Sequence, residues 1–234
     1  MSTSGTASWN PDMTEIIEEA FERCGVEVRT GYQFRTARRS LNLLFQEWAN
    51  KGLNLWTIEQ GQISLTAGTV QYNLPEDTVD IIEHVIRQNP GSVANQVDLQ
   101  IARVALPTYA SIPNKLATGR PIQIYVDRVS PIPHVKIWPT ASDNSYTLVY
   151  WRLRRIQDAG QSGANTMDIP FRFTPALIAG LAYYLALKTP DAMDRIAALK
   201  ELYDEAYDLA AQEDRDRAPV RFIPHIGYVG GRGW

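Results

Sequence analysis

The stretch Thr174-Pro-Ala-Leu-Ile-Ala-Gly-Leu-Ala-Tyr-Tyr-Leu-Ala-Leu187 decides the architecture. Thr174-Pro175 reads as a helix start, a cap followed by a proline whose missing N–H is no loss in the first turn. The residues after it are apolar on nearly every side, which predicts a helix buried on most of its circumference. The uncharged run 173–187, between Arg172 and Lys188, is shorter than the roughly 20 apolar residues that cross a bilayer. Such a helix needs other helices around it, and the rest of the chain offers them.

Downstream, Thr189-Pro190 breaks the chain and Asp191 opens a last helix with Ile196, Leu199, Leu202, Tyr203, Ala206 and Leu209 as its apolar positions. At the other end, Asn10-Pro11 reads as a second cap-plus-proline start. Ile16, Ile17, Ala20, Phe21 and Cys24 follow at helical spacing, Glu15, Glu18, Glu19 and Glu22 fill the opposite face, and Gly25 is the stop. A further helix follows Thr30, with Phe34, Ala37, Leu41, Leu44, Phe45 and Trp48 as its stripe and Lys51-Gly52 at its end. The short connection predicts an αα-hairpin. Neither terminal pair is large enough to form a core alone, so the first is expected to pack against the last.

Between them the period drops to two. Ile63-Ser-Leu65 and 70–74 flank Thr66-Ala67-Gly68, which reads as a hairpin. Further strands are expected at 79–87, 97–104, 122–129, 135–138 and 146–153, separated by Asn89-Pro90-Gly91, Gly119-Arg120-Pro121, Pro131-Ile132-Pro133 and Ser142-Asp143-Asn144. Residues 106–118 read as a loop with one helical turn. The expectation is an α+β protein: a discontinuous antiparallel helical bundle from both chain ends (13–57 and 170–216), with a small antiparallel β-sandwich or open barrel inserted at 58–156. An N-terminal arm (1–12), a polar linker (157–169) and an extended C-terminal arm (217–234) complete it.

At 234 residues the chain needs no staples to support a core. Its 23 basic and 26 acidic residues give a net charge of −3, which disfavours a general nucleic-acid binder. The single cysteine, Cys24, excludes an internal disulfide and a multi-cysteine zinc site, and reads as a small core residue. Residues 1–10 lack the basic start and apolar core of a signal peptide, which predicts a reducing compartment. P-loop, G-x-S-x-G and H-E-x-x-H motifs are absent, and His84, His134 and His225 are scattered, so neither a metal nor a cofactor is expected.

Three charge features remain. Glu15/Glu19 and Glu18/Glu22 lie one turn apart; paired carboxylates serve glycosidases, but helices routinely carry such acids on a solvated face. Asp80 and Glu83 take the same discount. Arg35, Arg38 and Arg39 form a cluster suited to carboxylate recognition at a subunit interface, with an intramolecular or solvated role as the plainer reading. Residues 191–216 hold nine acids and three bases. Beyond an ordinary acidic helix face, Glu201, Asp204, Glu205 and Asp208 could pass near DNA without holding it, because like charges repel phosphate. Residues 218–234 contain no acid yet keep Arg221, Phe222, Ile223, Ile226, Tyr228 and Trp234, the makings of an arm that orders on a partner.

In this order, Thr14-Glu-Ile-Ile-Glu-Glu-Ala-Phe-Glu-Arg-Cys-Gly25, Ala37-Arg-Arg-Ser-Leu-Asn-Leu-Leu-Phe-Gln-Glu-Trp48 and Gly52-Leu-Asn-Leu-Trp56 resemble the head-to-tail adaptor (connector, or tubular tail protein A-like) family of tailed, mainly short-tailed, bacteriophages. Leu106-Pro-Thr-Tyr109, Pro113-Asn-Lys115, Gly119-Arg-Pro-Ile-Gln-Ile-Tyr125 and the final helix pair with Tyr183-Tyr184 extend the resemblance over roughly residues 13–216. It implies a structural virion protein without enzymatic activity, made in the host cytoplasm. Such a protein forms a ring, commonly of twelve copies, that docks beneath the portal protein in the neck, extends the DNA channel and offers a surface to the tail nozzle or tail tube. It also implies that residues 218–234 match the segment that reaches the portal in several such proteins. Competing readings are another tail component, such as a tail-tube or tail-completion protein, and a peptidoglycan hydrolase using Glu15, Glu18 or Glu22. The free chain is expected to be monomeric until it meets its portal.

Overall fold

The computed structural model describes residues 3–28, 30–52 and 55–215. At its centre is α4 (Thr174–Ala186), which buries ten of its thirteen residues. Helices α1 (Met13–Cys24), α2 (Gly31–Asn50) and α5 (Ile196–Glu213) pack on it from different sides, while α1 and α2 touch each other little. The terminal helices therefore form one bundle organised by α4. Gly180 sits at the closest crossing, where a Cβ would lie 2.8 Å from the Tyr203 ring and 3.0 Å from Leu44. Trp48 and Phe173 are fully enclosed in this core, with ring centroids 5.5 Å apart. Buried Cys24 sits in it as a packing residue, its Sγ 3.2 Å from the Ala182 carbonyl.

The helix ends follow from local chemistry. Gly25 ends α1 in the left-handed region at φ 77, and its N–H bonds back to the carbonyls of Phe21 and Glu22. Thr30 caps α2 in a reciprocal box with Gln33. The other starts differ from the sequence reading. α1 begins two residues after Pro11: Asp12 is the cap and shares a box with Glu15, placing two carboxylates at the positive end of the helix. At α4 the cap position is Phe173, because a 3₁₀ turn over Phe171–Phe173 leads directly into the helix and Thr174 is already in it. Asp191 lies in a six-residue 3₁₀ turn, Pro190–Arg195, and α5 proper begins at Ile196.

The middle of the chain forms two four-stranded sheets around a second core. The first is ordered β1 (Ile58–Ser64), β10 (Tyr146–Arg154), β3 (Thr78–Gln88), β4 (Val97–Gln100), all antiparallel. The second is ordered β2 (Gln71–Asn73), β8 (His134–Trp138), β7 (Gln123–Asp127), β5 (Ala102–Arg103). Ile81, Ile86 and Leu148 from one sheet and Ile124, Val135 and Ile137 from the other are buried together, so the sheets face each other and no barrel closes. The one helical turn expected in 106–118 is α3 (Leu106–Ala110). A small pair, β6 (Thr118–Gly119) and β9 (Thr140–Ala141), lies beyond it.

Three expectations for this region are corrected. Residues 63–65 and 70–74 are not hairpin partners: β1 pairs with β10 and β2 with β8, in different sheets. Alternation marks a strand but not its partner, and the turn is held instead by the Tyr72 hydroxyl, which accepts from Thr66 N at 2.9 Å and donates to its carbonyl at 3.1 Å. The strand expected over 97–104 splits at Ile101, which turns inward onto the second core while its carbonyl contacts His84 Nε2 at 3.1 Å. The chain thereby changes sheets. Finally, the β region is not wholly antiparallel, since β5 runs parallel to β7 and β6 to β9.

Residues 157–169 lie against α1. Asn165 and Gly163 carbonyls accept from Met13 N at 2.9 Å and Thr14 N at 3.1 Å, satisfying amides the helix itself leaves open. Ala159 and Met167 are buried in the helical core.

Candidate functional site

Among the described residues no group of histidine, cysteine and carboxylate side chains could hold a metal ion, and no helix is long and apolar enough to cross a membrane.

On α2 the stripe away from α4 carries Tyr32, Arg35, Arg39 and Leu43, all exposed, with Arg38 half-buried beside them. Tyr32 and the three arginines line a shallow depression of ≈ 300 Å³. Arg39 donates to the Thr36 hydroxyl at 3.2 Å. Nearby Lys188 donates to Ser40 Oγ at 2.8 Å, and its ammonium is held below the usual lysine range by desolvation and by the Arg39 charge. The sequence cluster is thus one cationic patch in space.

Glu201, Asp204, Glu205 and Asp208 lie together on the exposed face of α5, lining an open groove with Ala197 and Lys200. Leu202 and Leu209, half or more exposed, flank them. On α1, Glu15, Glu18 and Glu22 are exposed. Glu15 is occupied by the capping box, accepting from Asp12 N at 3.1 Å, and Glu19 pairs with Arg23 at 2.9 Å. Glu15 and Glu19 also border a groove of ≈ 840 Å³ between the N-terminal segment, α1 and the start of α4, with Trp9, Phe171 and Ile178 among its apolar lining. Asp80 accepts from Arg103 at 2.7 Å. The six arm positions Arg221, Phe222, Ile223, Ile226, Tyr228 and Trp234, and His225, fall outside the described residues.

Two part-buried polar networks escaped the sequence reading. In the first, Glu47 accepts from the hydroxyls of Tyr184 at 2.7 Å and Tyr203 at 3.0 Å and pairs with Lys51 at 2.8 Å. Lys51 also lies over the rings of Tyr203 and Tyr207. Burial pushes the Glu47 carboxyl up, but the bonds from Lys51, Tyr184 and Tyr203 outweigh it and leave the group below the ordinary range. Burial, then Glu47, pushes the Tyr184 phenol up to about 12. In the second network, Arg152 bonds Asp77, Thr78 and Glu59, and Arg154 bonds Glu59 and Asp168. Trp56 Nε1 donates to the Asp168 carbonyl at 3.1 Å, so this network ties the first sheet to the bundle. The signal for it was Arg152 and Arg154 at i, i+2 on one strand, on the same side of the pleat. No comparable spacing links Glu47 to Tyr203.

The described surface thus carries exposed helix faces of opposite charge, one on α2 and one on α5. The comparison with known families gives the class of protein. The model of the family described as SU10 adaptor protein matches residues 12–223. The chain belongs to this family, a phage head-to-tail adaptor family, and is thereby a structural protein of the virion with other virion components as its partners. No curated protein matches the chain.

Proposed function

We propose that this chain forms a homo-oligomeric ring in the virion neck, docked beneath the portal, where it prolongs the DNA channel and presents the surface on which a tail nozzle or tail tube is built. The observation that carries this reading is the family match over 12–223, which spans both the helical bundle and the inserted sheets. Copies of the bundle form the ring, with Arg35, Arg38 and Arg39 at the contact between subunits. Residues 217–234 engage the portal, placing Arg221, Phe222, Ile223, Ile226, Tyr228 and Trp234 against it. Their arginine and aromatic content is that of interface anchors, and prolines 219 and 224 lower the entropy lost on docking.

The test is to mix the purified chain with portal rings and image the complexes by electron microscopy. Rings of added density on one face of the portal are expected. Removal of 218–234 abolishes that density. Density that persists without this segment overturns its role, and density on isolated tails but never on portals makes the chain a tail component instead.

A further inference from the structure

The exposed stripe of α2 and the exposed face of α5 carry opposite charges at matching spacing. Arg35 and Arg39 stand one turn apart; so do Glu201 and Glu205, and Asp204 and Asp208. Side chains three or four residues apart on a helix are neighbours, with Cβ atoms about 5–6 Å apart on either element. The guanidinium groups of α2 and the carboxylates of α5 thus share one spacing along their helices. Apolar groups accompany both: Leu43, 49% exposed, continues the α2 stripe, and Leu202 and Leu209, 51% and 61% exposed, flank the acids.

Neither ladder finds an ion-pair partner among the described residues. Among the described residues, no ion pair involves Arg35, Arg38, Arg39 or any of the four acids, although Arg23, Arg87, Arg152, Arg154 and Arg172 all find carboxylates. Both helices bury their opposite sides in the core shared with α4, so the two ladders lie on separate outer faces. A second copy of this chain carries a surface of complementary charge for each ladder.

We propose that the arginine stripe of α2 docks on the acidic face of α5 of a second copy. The two patches differ, so the contact is heterologous and repeats head to tail, the geometry that closes into a ring. The inference rests on the ring reading above and deepens it: the carboxylates of α5 face the neighbouring subunit rather than DNA in the lumen. Solvent-exposed pairs are individually weak, so the contact closes when the portal holds copies side by side, and it weakens as salt rises.

A charge exchange tests this on the full chain with portal rings. One variant is Arg35→Glu/Arg39→Glu; the other is Glu201→Lys/Asp204→Lys/Glu205→Lys/Asp208→Lys. Both sets are exposed, and unchanged circular dichroism and melting confirm the fold. Each variant alone sets like charges against each other and loses ring-bound protein by more than about tenfold. An equal mixture recovers assembly, because alternating copies restore both pairings. Normal rings from either variant alone, or a mixture as poor as its components, overturn the inference while leaving the ring itself standing. If the unmodified chain forms no ring on the portal, the ring reading fails and this contact with it.

Discussion

Trp48 Nε1 donates a 2.9 Å hydrogen bond to the hydroxyl of Tyr203, a residue 155 positions later in the chain. The bond joins the second helix to the last inside the core that both build on α4. The same hydroxyl donates to Glu47 at 3.0 Å and accepts from Lys51 at 3.1 Å. One buried oxygen thus bonds an indole, an ammonium and a carboxylate at once, and of the three the indole has it as its acceptor.

Tyr203→Phe removes that oxygen and little volume. Trp48 Nε1, in a fully buried side chain, is left without its acceptor. The expected loss is about 1–3 kcal/mol, the cost of an unsatisfied buried donor, read from urea denaturation.

Gly180→Ala improves helix propensity yet destabilises. The new methyl would stand 2.8 Å from the Tyr203 ring and 3.0 Å from Leu44, two side chains already fixed in the core. Overpacking of this kind costs about 1–3 kcal/mol, more than the roughly 1 kcal/mol that alanine gains over glycine in a helix. A lower melting temperature is expected; a rise would show that α4 and α5 can separate without loss.

Alkaline pH weakens the bundle. The Tyr184 phenol, raised by burial and by Glu47 from its ordinary 10.0 to about 12, stays protonated in the folded chain where the unfolded chain has ionised. Its contribution is complete below pH 10 and is lost as pH climbs through about 12. Tyr203 shifts in the same direction, from burial and the same carboxylate. Phenolate absorbance should therefore rise late, and Glu47→Gln should bring that rise to lower pH.

Asp168→Ala and Glu59→Ala compare a part-buried carboxylate with an exposed one on the same arginine. Asp168 is 20% exposed and neutralises Arg154, whose side chain is only 9% exposed. Its loss costs about 1–3 kcal/mol, the cost of leaving a part-buried charged donor short of one partner while Glu59 still touches Arg154. Glu59 is 45% exposed, and its arginines keep Asp77 and Asp168. Its removal costs no more than about 1 kcal/mol. Chemical denaturation of the two variants gives the comparison.

On the proposed ring reading, the free chain is expected to stay a monomer in the absence of a portal, because the charged helix faces offer only weak pairs on their own. Light scattering at increasing concentration should return the mass of one chain. A stable free ring would refute portal-triggered assembly.

What the sequence determined by itself is most of the elements and the buried sides of α1, α2 and α4, though not that Leu202 and Leu209 of α5 stand exposed. Apolar period fixes a helix face locally, so the stripes of α1 and α2, the all-round burial of α4 and the caps at Thr30 and Gly25 were legible residue by residue. The arginine cluster on α2 and the acids on α5 were legible as groups for the same reason, since three- and four-residue spacing already places them on one face. Only the tertiary structure decided which strands pair, that Ile101 turns the chain from one sheet to the other, and that Glu47, Trp48 and Tyr203 share one network. Strand pairing and buried polar contacts join residues far apart in the chain. Alternation along a strand says which side is wet, but the partner is chosen by how two sheets enclose a common core. The same limit applies to the two charged ladders: their spacing is written in the sequence, but that they lie on separate outer faces, without an ion pair among the described residues, follows from how α2 and α5 pack around α4.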